Sequence, residues 1–228
     1  LARQELDYMN YNLVKVRGNI FLNNKMNLPA AHKEISSVIS ASYVIKVPVN
    51  SDIRINNKFG SVIVASTNAI LISGNLQYCD ALFQSYQGAI NLTIEVGDLS
   101  CLNGTLKGSV NSRHTNILLN EITGKLSLQT RYGSINQKYG NTAADLTINS
   151  YATDILIDNR ACHKLDINIS GVNCPLTLTR ECYTPDKSLL QSTYNPARKD
   201  APWTLKYIPP VKSPRLKIQA SFGSMNLL

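Results

Sequence analysis

The sequence predicts an all-β fold, a single-stranded parallel β-solenoid (a β-helix or β-roll) of about eight turns with a period of 17–21 residues, and three observations carry it. First, one unit recurs eight times: two apolar positions two residues apart, a turn closed by Gly and a small polar residue, then two apolar positions nine and eleven residues after the first. Second, the starts Ile53, Ile70, Ile90, Gly108, Leu126, Leu146 and Ile167 lie 17, 20, 18, 18, 20 and 21 residues apart, and the last start, Leu216, follows a gap of 49. Third, thirty of the thirty-two marked positions are apolar, only Gly108 and Gln137 failing, where a chain that is 43% hydrophobic would give about fourteen. A near-fixed period just under about 20 residues marks stacked units, each too small to bury its own apolar face.

The clearest copy is LSLQTRYGSINQ, residues 126–137. Its apolar period is two, so its arms are strands and not helix. Phe59-Gly60-Ser61, Val96-Gly97-Asp98, Tyr132-Gly133-Ser134 and Phe222-Gly223-Ser224 put Gly where the chain must bend. Asn103-Gly104 and Thr123-Gly124 mark the corner into the next unit. Eight layers at the sheet spacing of about 4.8 Å make a rod roughly 35 to 40 Å long.

Before the repeat, Leu13, Val14 and Val16, then Ile20, Phe21 and Leu22, read as short strands around Arg17-Gly18-Asn19, and Ala30 to Val38 as a helical turn or a loop. A solenoid end exposes unpaired backbone, so residues 1–42 are expected to form an N-terminal capping region. The solenoid domain is then 43–228, with Tyr43 to Val47 as the strand that leads in and stops at Pro48. Residues 179–215 interrupt the repeat and hold six of the nine prolines, the only Trp, and Tyr183, Tyr194 and Tyr207. An insertion this long is usually functional or a cover. Here it is expected to cap the C-terminal end, where Leu216 to Leu227 would otherwise be a bare final turn. The functional alternative is a ligand loop with Trp203, Tyr207, Arg198 and Lys199 as its contacts.

The net charge is +8, from 23 basic and 15 acidic residues, and the segment from Arg180 to Lys217 alone contributes 8 − 3 = +5. These charges are spread and broken by proline, so a solvated loop is expected and nucleic acid is not expected as a partner. No run of 18 apolar residues occurs, so no transmembrane segment is expected in this chain. Numbering from Leu1 without Met points to a processed or trimmed chain whose export signal is out of view.

Five cysteines without a CxxC indicate neither a zinc site nor a full disulfide framework. Cys79 and Cys101 fall on inward positions and read as small buried thiols. Cys162, Cys174 and Cys182 cluster near the insertion, and a Cys174–Cys182 bridge stays open for an oxidising compartment. Asp98, Asn116, Ser134 and Asp154 share one turn position, but calcium needs six to eight oxygens and its glycine-aspartate nonapeptide pattern is absent, so turn polarity is the reading. His32, His114 and His163 are scattered, and His114 takes the corner place of Phe59 and Tyr132. No catalytic residue, metal site or cofactor is expected. Three residues after each start stand Asn56, Ser73, Thr93, Asn111, Gln129, Asn149, Ser170 and Gln219, all polar and uncharged. They read either as a ladder bonded up and down the rod or as a flat strip for docking a glycan or a protein.

The run Tyr43-Val44-Ile45-Lys46-Val47-Pro48, then Asn57-Lys58-Phe59-Gly60-Ser61-Val62, with the turns Val96-Gly97-Asp98-Leu99 and Tyr132-Gly133-Ser134-Ile135, resembles the adhesin family of bacterial envelope β-solenoid proteins. The resemblance covers about residues 43–178 and resumes at 215–228. It implies an exported protein, periplasmic or at the cell surface, with no catalytic residues to carry over. The 179–215 insertion departs from that pattern. The expected function is accordingly a non-enzymatic, adhesin-like envelope protein that binds a cell-surface glycan or an envelope protein through a flat solenoid face or the insertion. A polysaccharide lyase or hydrolase on a β-helix and an end-to-end self-assembling scaffold are the alternatives. The expected state is a monomer or a weak homo-oligomer.

Overall fold

The computed structural model describes residues 7–17, 19–27, 29, 41–65, 69–162, 165–178, 189–198, 200–209 and 213–228. Contacts divide the chain into two units, Leu1–Lys46 and Val47–Leu228. In the first, β1 (Met9–Val16) and β2 (Asn19–Met26) form an antiparallel hairpin with Val16 opposite Asn19. The strands flank Arg17, whose φ of 49° makes the tight reversal. Residues 41–48 carry no regular structure, so the alternation from Tyr43 to Val47 does not make a strand. Alternation fixes which side chains share a face, but a strand also needs a pairing partner. The segment Ala30 to Val38 lies outside the described residues.

The second unit is the parallel solenoid. Strands β3 (Asp52–Ala65), β4 (Leu71–Gln84), β5 (Gln87–Leu102), β6 (Thr105–Asn120), β7 (Thr123–Lys138) and β8 (Asp145–Asp158) each pair in parallel with the next. Every one of these strands turns a corner in mid-course. The residues there, Phe59, Tyr78, Val96, His114, Tyr132 and Ala152, are all left-handed, with φ between 49° and 69°. Asp80, Asp98, Asn116, Ser134 and Asp154 follow that corner in one column. The Asp98 amide donates to Asp80 Oδ1, Asn116 Nδ2 to Asp98 Oδ1, Ser134 Oγ to Asn116 Oδ1, and both the amide and hydroxyl of Ser224 to Asp154 Oδ1. These carboxylates are committed to tying rung to rung.

Val96 is the one β-branched residue in the left-handed column, where its side chain crowds its own backbone. Asn tolerates this conformation, so Val96→Asn is expected to stabilise the protein by about 1 kcal/mol. Chemical denaturation of the two proteins would show it as a higher midpoint with an unchanged slope.

The uninterrupted coil makes about five turns, not eight. The reason lies in the last two units, which do not stack in chain order. After β8 come β9 (Asp166–Val172) and β10 (Leu176–Leu178), then the insertion with β11 (Leu190–Ser192) and β12 (Trp203–Tyr207), then β13 (Arg215–Ser221) and β14 (Met225–Leu227). Strand β13 lies between β8 and β9 and is parallel to both, Ile218 standing beside Ile148 on one side and Ile169 on the other. Strand β14 likewise pairs with β8 and β10. The final unit therefore slots between the two units before it. The bare last turn expected at 216–227 is instead an interior rung.

The terminal rung is the one containing β9, and the insertion covers its outer edge. Strand β12 pairs antiparallel with β9, Trp203 opposite Gly171 and Tyr207 opposite Ile167, and β11 adds to β12. The W-T-L-K-Y alternation of β12 turns Trp203, Leu205 and Tyr207 inward, all buried.

The expected register needs one correction, in the second unit. Ile53 pairs with Ile72 and Ile55 with Gly74, so the inward positions there are Ile72, Gly74, Ala81 and Phe83, while Ile70 is 57% exposed. The outward partner of Asn56 is Asn75, not Ser73. A two-residue slip keeps every side chain on its face, and the alternation therefore does not register it. Gly108, which breaks the apolar pattern, has φ 124°, and a Cβ there would meet the Ile90 carbonyl oxygen at 2.1 Å. Backbone contact excludes a side chain at that point. Gln137 is fully buried in the column of Leu119 and Ile157, its Nε2 donating to the Lys138 carbonyl.

Candidate functional site

A groove of about 830 Å³ runs along one outer face of the solenoid unit, crossing β5, β6, β7, β8, β13, β9 and β12 in spatial order. Its spine is the polar strip legible in the sequence. Thr93, Asn111, Gln129, Asn149, Gln219, Ser170 and Thr204 stand side by side, one per rung. Six steps of about 4.8 Å give the strip a length of about 29 Å.

The ladder expected along this strip does not form over most of it. The Asn75 amide donates to Asn56 Oδ1, and Thr204 meets Thr193, but the side chains of Thr93, Asn111, Gln129, Asn149 and Gln219 bond to nothing among the described residues. The contrast with the corner column, where carboxylate, amide and hydroxyl are tied to one another, is informative. One polar column consumes its hydrogen-bonding capacity in holding the coil together, and the other leaves it facing the groove.

A further inward column lies behind the groove. Leu76, Ile94, Ser112, Thr130, Ser150, Ala220 and Gly171 are in register and buried, and they shrink along the coil. The hydroxyls of Ser112 and Ser150 are buried without a partner. The sequence reading missed this column because Ser and Thr do not count as apolar. Its signal was the recurrence of small residues, Ser112, Thr130, Ser150, Gly171 and Ala220, four positions after each of the last five starts.

Two residues beyond the strip position stand Glu95, Arg113, Arg131, Tyr151 and Ser221 on successive rungs. Arg113 and Arg131 are exposed neighbours, and neither has an acidic partner among the described residues. Glu95 accepts from Gln77 Nε2 at 3.3 Å on its other side. An aromatic row borders the groove: His114 stacks on Tyr132 at 4.9 Å, Tyr132 meets Tyr151 edge-on at 5.9 Å, and Tyr151 meets Phe222 at 5.3 Å. Tyr132, Tyr151 and Phe222 are 40–45% exposed. The sequence reading gave His114 its corner place but overlooked the row, because Tyr151 comes from the position before the corner.

Of the four residues expected as ligand contacts in the insertion, Trp203 and Tyr207 are buried, Arg198 is exposed and Lys199 lies outside the described residues. Trp203 is 2% exposed, its Nε1 donates to the Cys174 carbonyl at 2.7 Å, its ring lies flush on Gly171, and Tyr194 packs edge-on against it. It is a core residue that, with Pro202 and Thr204, supplies the end wall of the groove. Tyr207 is also buried, because β12 carries both inward. Arg198 lies in a turn and does not line the groove.

The four described thiols are packed in the interior. Cys79, Cys101, Cys162 and Cys174 are free and buried. Burial pushes the Cys101 thiol up to about 12, and burial with Asp154 nearby pushes Cys174 up to about 11. The proposed partner of Cys174, Cys182, lies outside the described residues. Among the described residues no group of three His, Cys, Asp or Glu could hold a metal ion, and no helix is long and apolar enough to cross a membrane. Comparison with protein-family models, with curated proteins and with solved structures finds no match to this chain.

Proposed function

We propose that this chain is a non-enzymatic, adhesin-like protein of the cell envelope, exported to the periplasm or cell surface, that binds an extended glycan along the outer groove. The observation that carries the reading is the strip of exposed amides and hydroxyls, five of them unbonded, lining a groove about 29 Å long beside a row of half-exposed aromatic rings. Amides and hydroxyls both donate and accept, as sugar hydroxyls do, and aromatic faces suit the apolar faces of pyranose rings. The resemblance of 43–62 and of the corner turns to the adhesin family supports the envelope setting. The burial of Trp203 and Tyr207 favours the solenoid face over the insertion as the docking surface.

A panel of soluble oligosaccharides assayed by calorimetry, beside a pull-down from envelope extracts, tests the reading. Saturable glycan binding lost on Gln129→Ala with Asn149→Ala supports it. Absence of any glycan ligand, with capture of an envelope protein in its place, would replace the glycan by a protein partner. Release of unsaturated or new reducing ends from a polysaccharide would make the protein a lyase or hydrolase.

A further inference from the structure

We infer that the groove selects an acidic glycan, one carrying carboxylates on successive sugars, with Arg113 and Arg131 as its anion contacts; this rests on the glycan reading above. Two exposed guanidinium groups stand side by side on β6 and β7 in the same column. Like charges directly opposite on neighbouring strands disfavour the sheet, and the carboxylate on the far side of Arg113 offsets only one of the two. The groove holds a single carboxylate, Glu95, one rung away from Arg113, and it accepts a hydrogen bond from Gln77 instead of pairing with Arg113. Among the other described arginines of the unit, Arg160 lies 2.7 Å from Asp158 and Arg215 lies 3.6 Å from Asp166, while Arg54 and Arg198 also lack an ion pair but stand outside the groove lining. Arg113 and Arg131 against Glu95 therefore leave a net positive spot, with Arg131 without a counter-charge, inside a groove whose other lining residues are uncharged.

The chemistry of that spot fits carboxylates. The planar guanidinium fork matches a carboxylate with two parallel N–H donors. Adjacent rungs are about 4.8 Å apart, close to the step of one pyranose along an extended chain. A polyuronate lying along the coil axis would bring a carboxylate over the Arg113–Arg131 pair, with the neutral strip facing its hydroxyls. Tyr151, next in the same column and edge-on to Tyr132, would lie under the following ring.

The test uses the intact chain and calorimetric titration with four probes: an oligogalacturonate, a sulfated oligosaccharide, a neutral 1,4-linked oligoglucoside and an oligothymidylate. The expected result is tightest binding to the oligogalacturonate. Arg113→Ala and Arg131→Ala should each weaken it about tenfold, in line with loss of one charge-assisted contact. Both side chains are exposed and repel one another, so the thermal midpoint should not fall, and Arg131→Lys should recover less than half of the loss on a logarithmic scale because the fork is gone. Equal affinity for neutral and acidic sugars, or indifference to both substitutions, overturns the acidic assignment and leaves the glycan groove standing. Preference for the sulfated probe or the oligothymidylate also overturns it, in favour of a sulfate or phosphate polymer. Failure of every sugar to bind overturns both readings.

Discussion

Replacing Ile148 by Asp abolishes folding, whereas Asp at the next position, Asn149, is tolerated. Ile148 is fully buried between Leu128 of β7 and Ile218 of β13. The new carboxylate would meet only hydrocarbon there, and an unpaired buried charge costs at least about 4 kcal/mol, enough to unfold a domain of ordinary stability. Asn149 faces the groove, where a carboxylate keeps its water, and a surface change of this kind shifts stability by at most about 0.5 kcal/mol. Circular dichroism and soluble yield of the two variants decide the matter. Equal damage from both would mean that inside and outside are exchanged.

Trp203→Ala has the second largest effect, and it is on stability. Loss of a buried Trp costs about 3 to 5 kcal/mol. Its ring fills the space left by Gly171, so its removal opens a cavity that no side chain there can fill, and the Cys174 carbonyl loses its 2.7 Å donor. Weakening β12 also uncovers β9, the terminal strand of the coil, and a bare strand edge invites association. The thermal midpoint should fall by several degrees, and sedimentation should show larger species at high concentration. Arg198→Ala, in the exposed turn of the same insertion, should change neither. A Trp203 variant with unaltered stability would return that residue to the surface role its loop position first implied.

What was readable in the sequence was parity. Alternation in LSLQTRYGSINQ and its copies placed Leu128, Ile148 and their equivalents inside and Gln129, Asn149 and their equivalents outside, because a pleated strand offers each side chain only two directions. Ile70 shows where parity stops: it has the parity of the inward Ile72 but lies in the bend before β4 and is 57% exposed, and only the pairing of Ile53 with Ile72 fixes the register. Rung order was hidden for a different reason. Pairing of Ile218 with Ile148, 70 residues earlier, leaves no local trace, and the chain order made 216–227 look like an end. Trp203 was misplaced by its proline-rich surroundings, although the period of two in W-T-L-K-Y was visible. The strip was legible from Thr93 to Gln219 but not at Asn75 or Thr204, and the groove was not legible, since Ser112, Thr130, Ser150 and Gly171 had to be seen as one buried column.

The order of the last three rungs is the claim on which the length of the groove and the burial of Trp203 both depend. Thr147, Lys217 and Asn168 occupy one outer column, Lys217 in the middle. Cysteines on adjacent rungs come within disulfide reach, and those two rungs apart, at about 9.6 Å, do not. Under mild oxidation of the folded protein, with the linked peptides identified by mass spectrometry, Thr147→Cys should bridge to Lys217→Cys, and Lys217→Cys to Asn168→Cys. A bridge between Thr147→Cys and Asn168→Cys instead would contradict the interleaved order and put the rungs back in chain sequence.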